Sequence, residues 1–147
     1  MTTNTSTQTL SLNHCFVTVD DVERALGFYH EALGLPIVTD VTLDNGYRWT
    51  TLGVPSQPGL EICLQVEGCI DGMTEADQAA MTELRVKGLL NALIFTVDDV
   101  DALFDRLVAG GAEVISEPAD QFYGVRDCAF RDPAGNMVRF NQPLPQR

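Results

Sequence analysis

Positive charge is what this chain has least of. Nine Lys and Arg stand against twenty-one Asp and Glu, a formal net charge of −12. An acid excess of that size repels phosphate backbones and anionic lipid, which argues against nucleic acid and membrane surfaces as partners. No apolar run approaches the ~20 residues that a membrane-spanning helix needs. The opening MTTNTSTQT has neither the basic start nor the apolar stretch of a secretory signal. Its Thr, Ser, Asn and Gln predict a short disordered tail over residues 1–10. The four cysteines, Cys15, Cys63, Cys69 and Cys128, show no CxxC spacing, and three lie in strand-like runs, where a free thiol acts as a small apolar group. Reduced thiols and a cytoplasmic protein are the expectation. His30 lies near the end of the first helix and is assigned no role.

What the chain does have is a repeat. TVDDV occurs at Thr18–Val22 and again at Thr96–Val100, an offset of 78 (96 − 18). The same offset lays Gly46-Tyr47-Arg48 on Gly124-Val125-Arg126 and Pro55 on Pro133. Self-similarity of this kind marks one structural unit used twice. Each copy reads as a strand (Leu12–Val19, then Leu93–Val97) followed by an aspartate that can cap a helix, Asp20 or Asp21 and Asp98 or Asp99. Apolar residues then recur at helical spacing, Val22, Leu26, Tyr29 and Leu33, then Val100, Leu103 and Leu107, and each helix runs into glycine. Three strands follow in each copy. In the first they are Leu35–Leu43, Tyr47–Leu52 and Leu60–Val66, with Asp44-Asn45-Gly46 as a turn. In the second they lie near Glu113–Ser116, Val125–Phe130 and Met137–Gln142, with Asp132-Pro133-Ala134-Gly135 as a turn. The expected fold is therefore α+β, two βαβββ units: a first module over 11–67, a linker with a helix over 68–89, and a second module over 90–147. The linker helix spans about Glu75–Val86, capped by Thr74 with Asp77, ended by Gly88, with Ala76, Ala80 and Leu84 as an apolar face.

Strand alternation puts Cys15, Val17 and Val19 on one face and His14, Phe16 and Thr18 on the other. It likewise separates Ile62, Leu64 and Val66 from Glu61, Cys63 and Gln65. The apolar sets should meet the helices, leaving His14 and the Glu61 row on the opposite face. LNHCFVTVDDVERALGFYHEALGL, ALIFTVDDVDALFDRLVAGGAEV and FRDPAGNMVRFNQP resemble the vicinal oxygen chelate superfamily, which includes glyoxalase I, bleomycin-resistance proteins and extradiol dioxygenases. GYRWTTLGVPSQPGLEICL is similar to a bacterial branch of it. The resemblance covers Leu12–Pro143 and implies two curled half-sheets around a cleft, and a homodimer.

Members that bind a metal place ligands at positions that correspond here to His14, Glu61, Ala92 and Arg139, and the offset of 78 relates the same four residues. Two of the four cannot ligate: Ala92 has no donor and the Arg139 guanidinium has no lone pair. A catalytic divalent ion needs about three protein ligands, so no cofactor is expected; the alternative is a divalent Zn, Ni, Mn or Fe completed by Cys63 or by a partner chain. Arg139 either pairs with Glu61 across the cleft or grips an anionic ligand. Trp49, the only tryptophan, lies near Tyr47, with Phe122 and Tyr123 at the matching place in the second copy. Such a cleft suits a flat aromatic molecule, or these rings serve core and dimer packing. Arg48 and Arg126, equivalent by the repeat, point to a structural duty. Two functions stand open: a metal-free binder of a small aromatic or anionic molecule through Arg139, Cys63, Trp49 and Tyr123, or a lyase, isomerase or dioxygenase working through His14 and Glu61.

Overall fold

A computed structural model describes residues 8–146; most of the tail expected over 1–10 lies outside that range. The chain runs β1 (His14–Val19), α1 (Val22–Leu26), β2 (Ile37–Thr42), β3 (Arg48–Gly53), β4 (Glu61–Val66), α2 (Glu75–Val86), β5 (Ala92–Thr96), α3 (Val100–Ala109), β6 (Glu113–Asp120), β7 (Val125–Arg131) and β8 (Met137–Pro143). The strands form two open four-stranded sheets, β1-β4-β3-β2 and β5-β8-β7-β6. In each the first and last strands of the unit pair parallel and the others antiparallel. The expected α+β architecture of two curled half-sheets is what forms.

The caps are local and resolve as the sequence directs. The Asp21 carboxylate accepts from the Arg24 amide at 3.1 Å, and that of Asp99 from the Ala102 amide at 3.0 Å. Thr74 and Asp77 form a reciprocal capping box on α2. Beyond Leu26 the first helix widens to a π-helical stretch over Gly27–Ala32, with the Leu33 amide reaching the Phe28 carbonyl. Two successive rings, Phe28 and Tyr29, are both buried there. The Tyr29 hydroxyl donates to Asp132 Oδ2 at 2.7 Å, across to the other unit.

Apolar residues of both halves merge into one core. Val17, Val19, Leu52, Ile62 and Leu64 join Val100, Leu107, Phe130, Val138 and Phe140 around Phe28 and Tyr29. The β7–β8 turn closes the junction. Asp132 Oδ1 accepts from the Ala134 and Asn136 amides, and Asn136 Nδ2 donates to Asp132 Oδ2 and to the Thr18 carbonyl. Gly135, at φ +104, has no alternative: a Cβ there would lie 2.7 Å from the Arg85 carbonyl oxygen.

Two expectations need correction. Ala76, Ala80 and Leu84 of α2 are exposed, and the helix instead docks through buried Arg85. Its guanidinium bonds both Glu67 carboxylate oxygens (2.9 and 3.1 Å) and the Ala134 carbonyl. The offset of 78 also fails at β8. His14 stands opposite Glu61, but Ala92 stands opposite Met137, and Arg139 opposite Ile94. The β3–β4 connection, residues 54–60, is two residues longer than its counterpart, 132–136, so β8 is displaced by one pleat. A two-residue shift keeps every side chain on its own face. Arg139 therefore still points away from the helices, but Met137 takes the place equivalent to Glu61.

Candidate functional site

The face of the first sheet turned away from the helices carries most of the polar and aromatic chemistry. Strand β1 contributes His14 and Phe16, β3 contributes Trp49 and Thr51, and β4 contributes Glu61, Cys63 and Gln65. The parallel β1–β4 register sets His14 beside Glu61, with Nε2 3.5 Å from Oε2 and both side chains partly accessible. Glu61 Oε1 also accepts from the Thr51 hydroxyl at 2.6 Å, and His14 Nδ1 lies 2.7 Å from Asn13 Oδ1. The imidazole and the carboxylate are thus each held by a second group, which fixes their mutual orientation.

Cys63, two residues along β4 from Glu61, is buried. Burial, with the Glu61 charge and Cys15 beside it, pushes its thiol up to about 11. Metal ligation requires the thiolate, so a metal held through Cys63 would first have to overcome this burial. Among the described residues no three His, Cys, Asp or Glu side chains converge. The donor set is His14 with Glu61, one short of what a catalytic divalent ion usually takes, and these residues do not by themselves fit the expected alternative metal.

Trp49 is the centre of an aromatic cluster. Its ring centroid lies 6.0 Å from His14, 6.1 Å from Phe16 and 6.3 Å from Tyr47, the planes inclined at 49°, 66° and 52°. Beside it opens a cavity of about 760 Å³, walled by Phe16, Tyr47, Trp49, Gln65, Cys69 and Asp71 among others. The Tyr47 phenol and the Cys69 thiol are both shifted upward, chiefly by burial. Both groups are neutral in the physiological range. Sequence reasoning found Trp49 and set Gln65 on the face that lines a cavity if the sheet curls, but it did not find Cys69 or Asp71 as cavity walls. The last two lie on the irregular segment after β4, where strand alternation gives no signal.

On the second sheet, Arg139 does not reach Glu61. Its Nη1 bonds Asp127 Oδ2 at 2.9 Å on the neighbouring strand. Asp127 is only 2 % exposed and gathers the Tyr123 hydroxyl (3.1 Å) and Gln121 Nε2 (3.0 Å) as well. Hence the four residues expected to bind a ligand divide: Trp49 and Cys63 on one sheet, Arg139 and Tyr123 around Asp127 on the other. Asp127 was missed, although an aspartate inside the apolar strand VRDCAF is itself a signal, because a buried carboxylate demands partners. Arg48 and Arg126 have the structural duty their equivalence implied. Arg48 bridges Glu23 of α1 and Asp40 of β2; Arg126 bridges Asp101 of α3 and Asp120 of β6. Glu23 and Asp101 are themselves 78 apart (101 − 23), so this helix-to-sheet tie was duplicated intact.

Known proteins place this geometry. The family model of the glyoxalase/bleomycin resistance protein/dioxygenase superfamily matches residues 11–140. An uncharacterised Bacillus subtilis protein, YurT, is 30% identical over 128 residues, covering 84% of this chain and 92% of its own. The crystal structure of UcmS2 superposes with a TM-score of 0.82 at 29% identity, covering 91% of this chain and 98% of that one. TnmS3, an antibiotic-binding protein from Streptomyces sp. CB03234, gives 0.71 at 28% identity, over 94% of this chain and 99% of its own. With a family match over nearly its whole length and two half-sheets of the expected topology, the chain belongs to the glyoxalase/bleomycin resistance protein/dioxygenase superfamily.

Proposed function

We propose that the protein binds a small aromatic molecule against Trp49, without a metal, and that it sequesters rather than transforms it. The carrying observation is the cavity of about 760 Å³ walled by Phe16, Tyr47 and Trp49. Its size lies within the ~300–1,000 Å³ of small-molecule sites, and its aromatic walls suit a flat partner. The antibiotic-binding description of TnmS3, 28% identical, supports the same direction. The anionic ligand considered from the sequence loses support, because the Arg139 guanidinium that would grip it is engaged by Asp127. The lone tryptophan makes the test direct: titration of flat aromatic compounds, antibiotics included, against Trp49 emission. Saturable quenching with unchanged ligand on recovery supports sequestration; a panel with no saturable response overturns the reading.

A second reading, metal-independent proton transfer, rests on the 3.5 Å approach of His14 to Glu61. An imidazole and a carboxylate in contact are the groups that general acid–base catalysis uses, and they stand on the same sheet face as Trp49. A ligand recovered chemically altered by the native chain but intact from His14→Gln would favour it. We further propose a homodimer. Phe122 is 99 % exposed and Ile94 62 % exposed on the second half, the kind of apolar surface a partner copy covers. Sedimentation velocity over a concentration series tests this directly. The free thiols Cys15, Cys63, Cys69 and Cys128 fit a cytoplasmic location. No helix of the described residues is long and apolar enough to cross a membrane.

A further inference from the structure

The cavity beside Trp49 has a charge preference as well as a shape. We propose that Phe16, Tyr47 and Trp49 form a cage for an organic ammonium group, so that the aromatic ligand of this cleft is a cation. This rests on the small-molecule reading above and adds the ligand's charge class to it.

Three observations converge. First, the rings are inclined rather than stacked. Phe16 and Tyr47 flank Trp49 at 6.1 and 6.3 Å with interplanar angles of 66° and 52°, and all three line the same opening. Rings set at such angles leave a corner bounded by π-faces and edges. A compact cation gains there from the ring quadrupoles, whereas an anion does not.

Second, the cavity holds no cation available to an anionic ligand. Arg48 is the only Lys or Arg among its lining residues, and its guanidinium is already taken up by Glu23 and Asp40. Third, negative charge is available. Asp71 lines the cavity, is exposed, and has no ion-pair partner among the described residues. Glu67, also in the lining, is occupied by Arg85 and Thr82, so Asp71 is the carboxylate free to answer a ligand's charge. The remaining polar lining, Gln65, Asn45, Tyr47 and Cys69, is neutral. The chain's net charge of −12 draws cations toward it at long range.

The test uses the whole chain and its single tryptophan. Choline is titrated against 3,3-dimethylbutan-1-ol, which has the same shape without the charge, and benzyltrimethylammonium against benzenesulfonate. Each is followed by Trp49 emission at low ionic strength. The expected result is that each cation binds at least about tenfold tighter than its counterpart, within reach of cation–π attraction from several rings. Phe16→Leu, at a side chain already 46 % exposed, should weaken benzyltrimethylammonium about threefold or more while the fold survives. Asp71→Asn should weaken it too, and should flatten its dependence on salt.

Equal binding of choline and the alcohol, or tighter binding of the sulfonate, overturns the cage. Silence toward all four probes while neutral flat aromatics still quench Trp49 also overturns it, and leaves the aromatic cleft standing. Silence toward both series removes the cleft and the cage together.

Discussion

Replacing Arg85 by Met tests whether α2 is held on the first half by one buried ion pair. The Arg85 and Glu67 side chains are 7 % and 9 % exposed, so each charge depends on the other rather than on water. In the native chain Glu67 receives Nε at 2.9 Å, Nη2 at 3.1 Å and the Thr82 hydroxyl at 2.8 Å. Met keeps much of the volume and removes every donor but Thr82. An uncompensated buried carboxylate of this kind costs ~3–5 kcal/mol, a large part of the ~5–15 kcal/mol that stabilises an ordinary domain. The lost bond to the Ala134 carbonyl loosens α2 from the β7–β8 turn in addition. Replacing Glu67 by Leu in the same chain removes the stranded charge, so the double variant should regain most of the loss.

Urea unfolding followed by Trp49 emission and far-ultraviolet circular dichroism gives the four free energies of the cycle. The pH dependence supplies an independent check. The Arg85 hydrogen bonds hold the Glu67 carboxyl below its ordinary range. A folded-state value below the unfolded one contributes stability that is fully present above the unfolded carboxylate value, ~4.3. That contribution is lost as pH falls through the depressed value. In Arg85→Met burial pushes the Glu67 carboxyl up instead, so protonation relieves the stranded charge, and the stability gap between this variant and the native chain should narrow as pH falls. A cost below ~1 kcal/mol for Arg85→Met, or a double variant whose loss is the plain sum of the single ones, would refute the buried-pair account.

Other perturbations address the junction and the site. Asn136→Asp places a second carboxylate against Asp132 where the Nδ2 donor stood at 3.0 Å; it should cost more than Asn136→Ala at pH 7, and the gap should close as pH falls and the new acid takes up its proton, measured by urea midpoints. Tyr29→Phe removes one of four donors to Asp132 and should cost ~1–3 kcal/mol by the same assay, because the other three remain. Burial beside Asp132 drives the Tyr29 phenol far above its ordinary value, so this difference should not vary between pH 6 and 9. Thermal unfolding with excess Zn²⁺, Ni²⁺, Mn²⁺ or Fe²⁺ should leave the midpoint within ~1 °C of the metal-free value, since two donors bind too weakly to bias folding; a larger rise that His14→Gln abolishes would restore a metal centre at this face.

What could be read from the sequence was what is decided locally. The Asp21 and Asp99 caps, the Thr74–Asp77 box and the Asp44-Asn45-Gly46 turn depend on residues a few positions apart, and each formed where its residues stand. A structural duty for Arg48 and Arg126 followed from the repeat; that it is a helix-to-sheet tie, with both ends copied together, came from the structure. The β8 register did not follow. Dropping two residues from a turn moves a strand one pleat and returns the same alternation, so no pattern of apolar residues records it. For that reason the offset matches Arg139 to Glu61, whereas β8 sets it opposite Ile94 and its guanidinium bonds Asp127. The α2 error has another origin. A helix face of Ala and Leu looks buried by composition, but Glu67 and the Ala134 carbonyl offer a polar dock, and Arg85 on the neighbouring face can satisfy it.

The two halves now carry different kinds of polar side chain, and the difference bears on function. Each turns one sheet face away from the shared core. On the first, His14, Glu61 and Trp49 are partly accessible and the cavity opens beside Trp49. On the second, the main charged groups have turned inward: Asp127 is enclosed by Arg139, Tyr123 and Gln121, and Ala92 contributes a methyl group. A metal bound between two such faces needs donors from both, and the second face has spent its carboxylate on its own arginine. A ligand held by stacking needs only the face that kept its rings. This asymmetry is why the proposed recognition is assigned to the first half-sheet, with Phe16, Tyr47, Trp49 and Asp71 as the residues to vary.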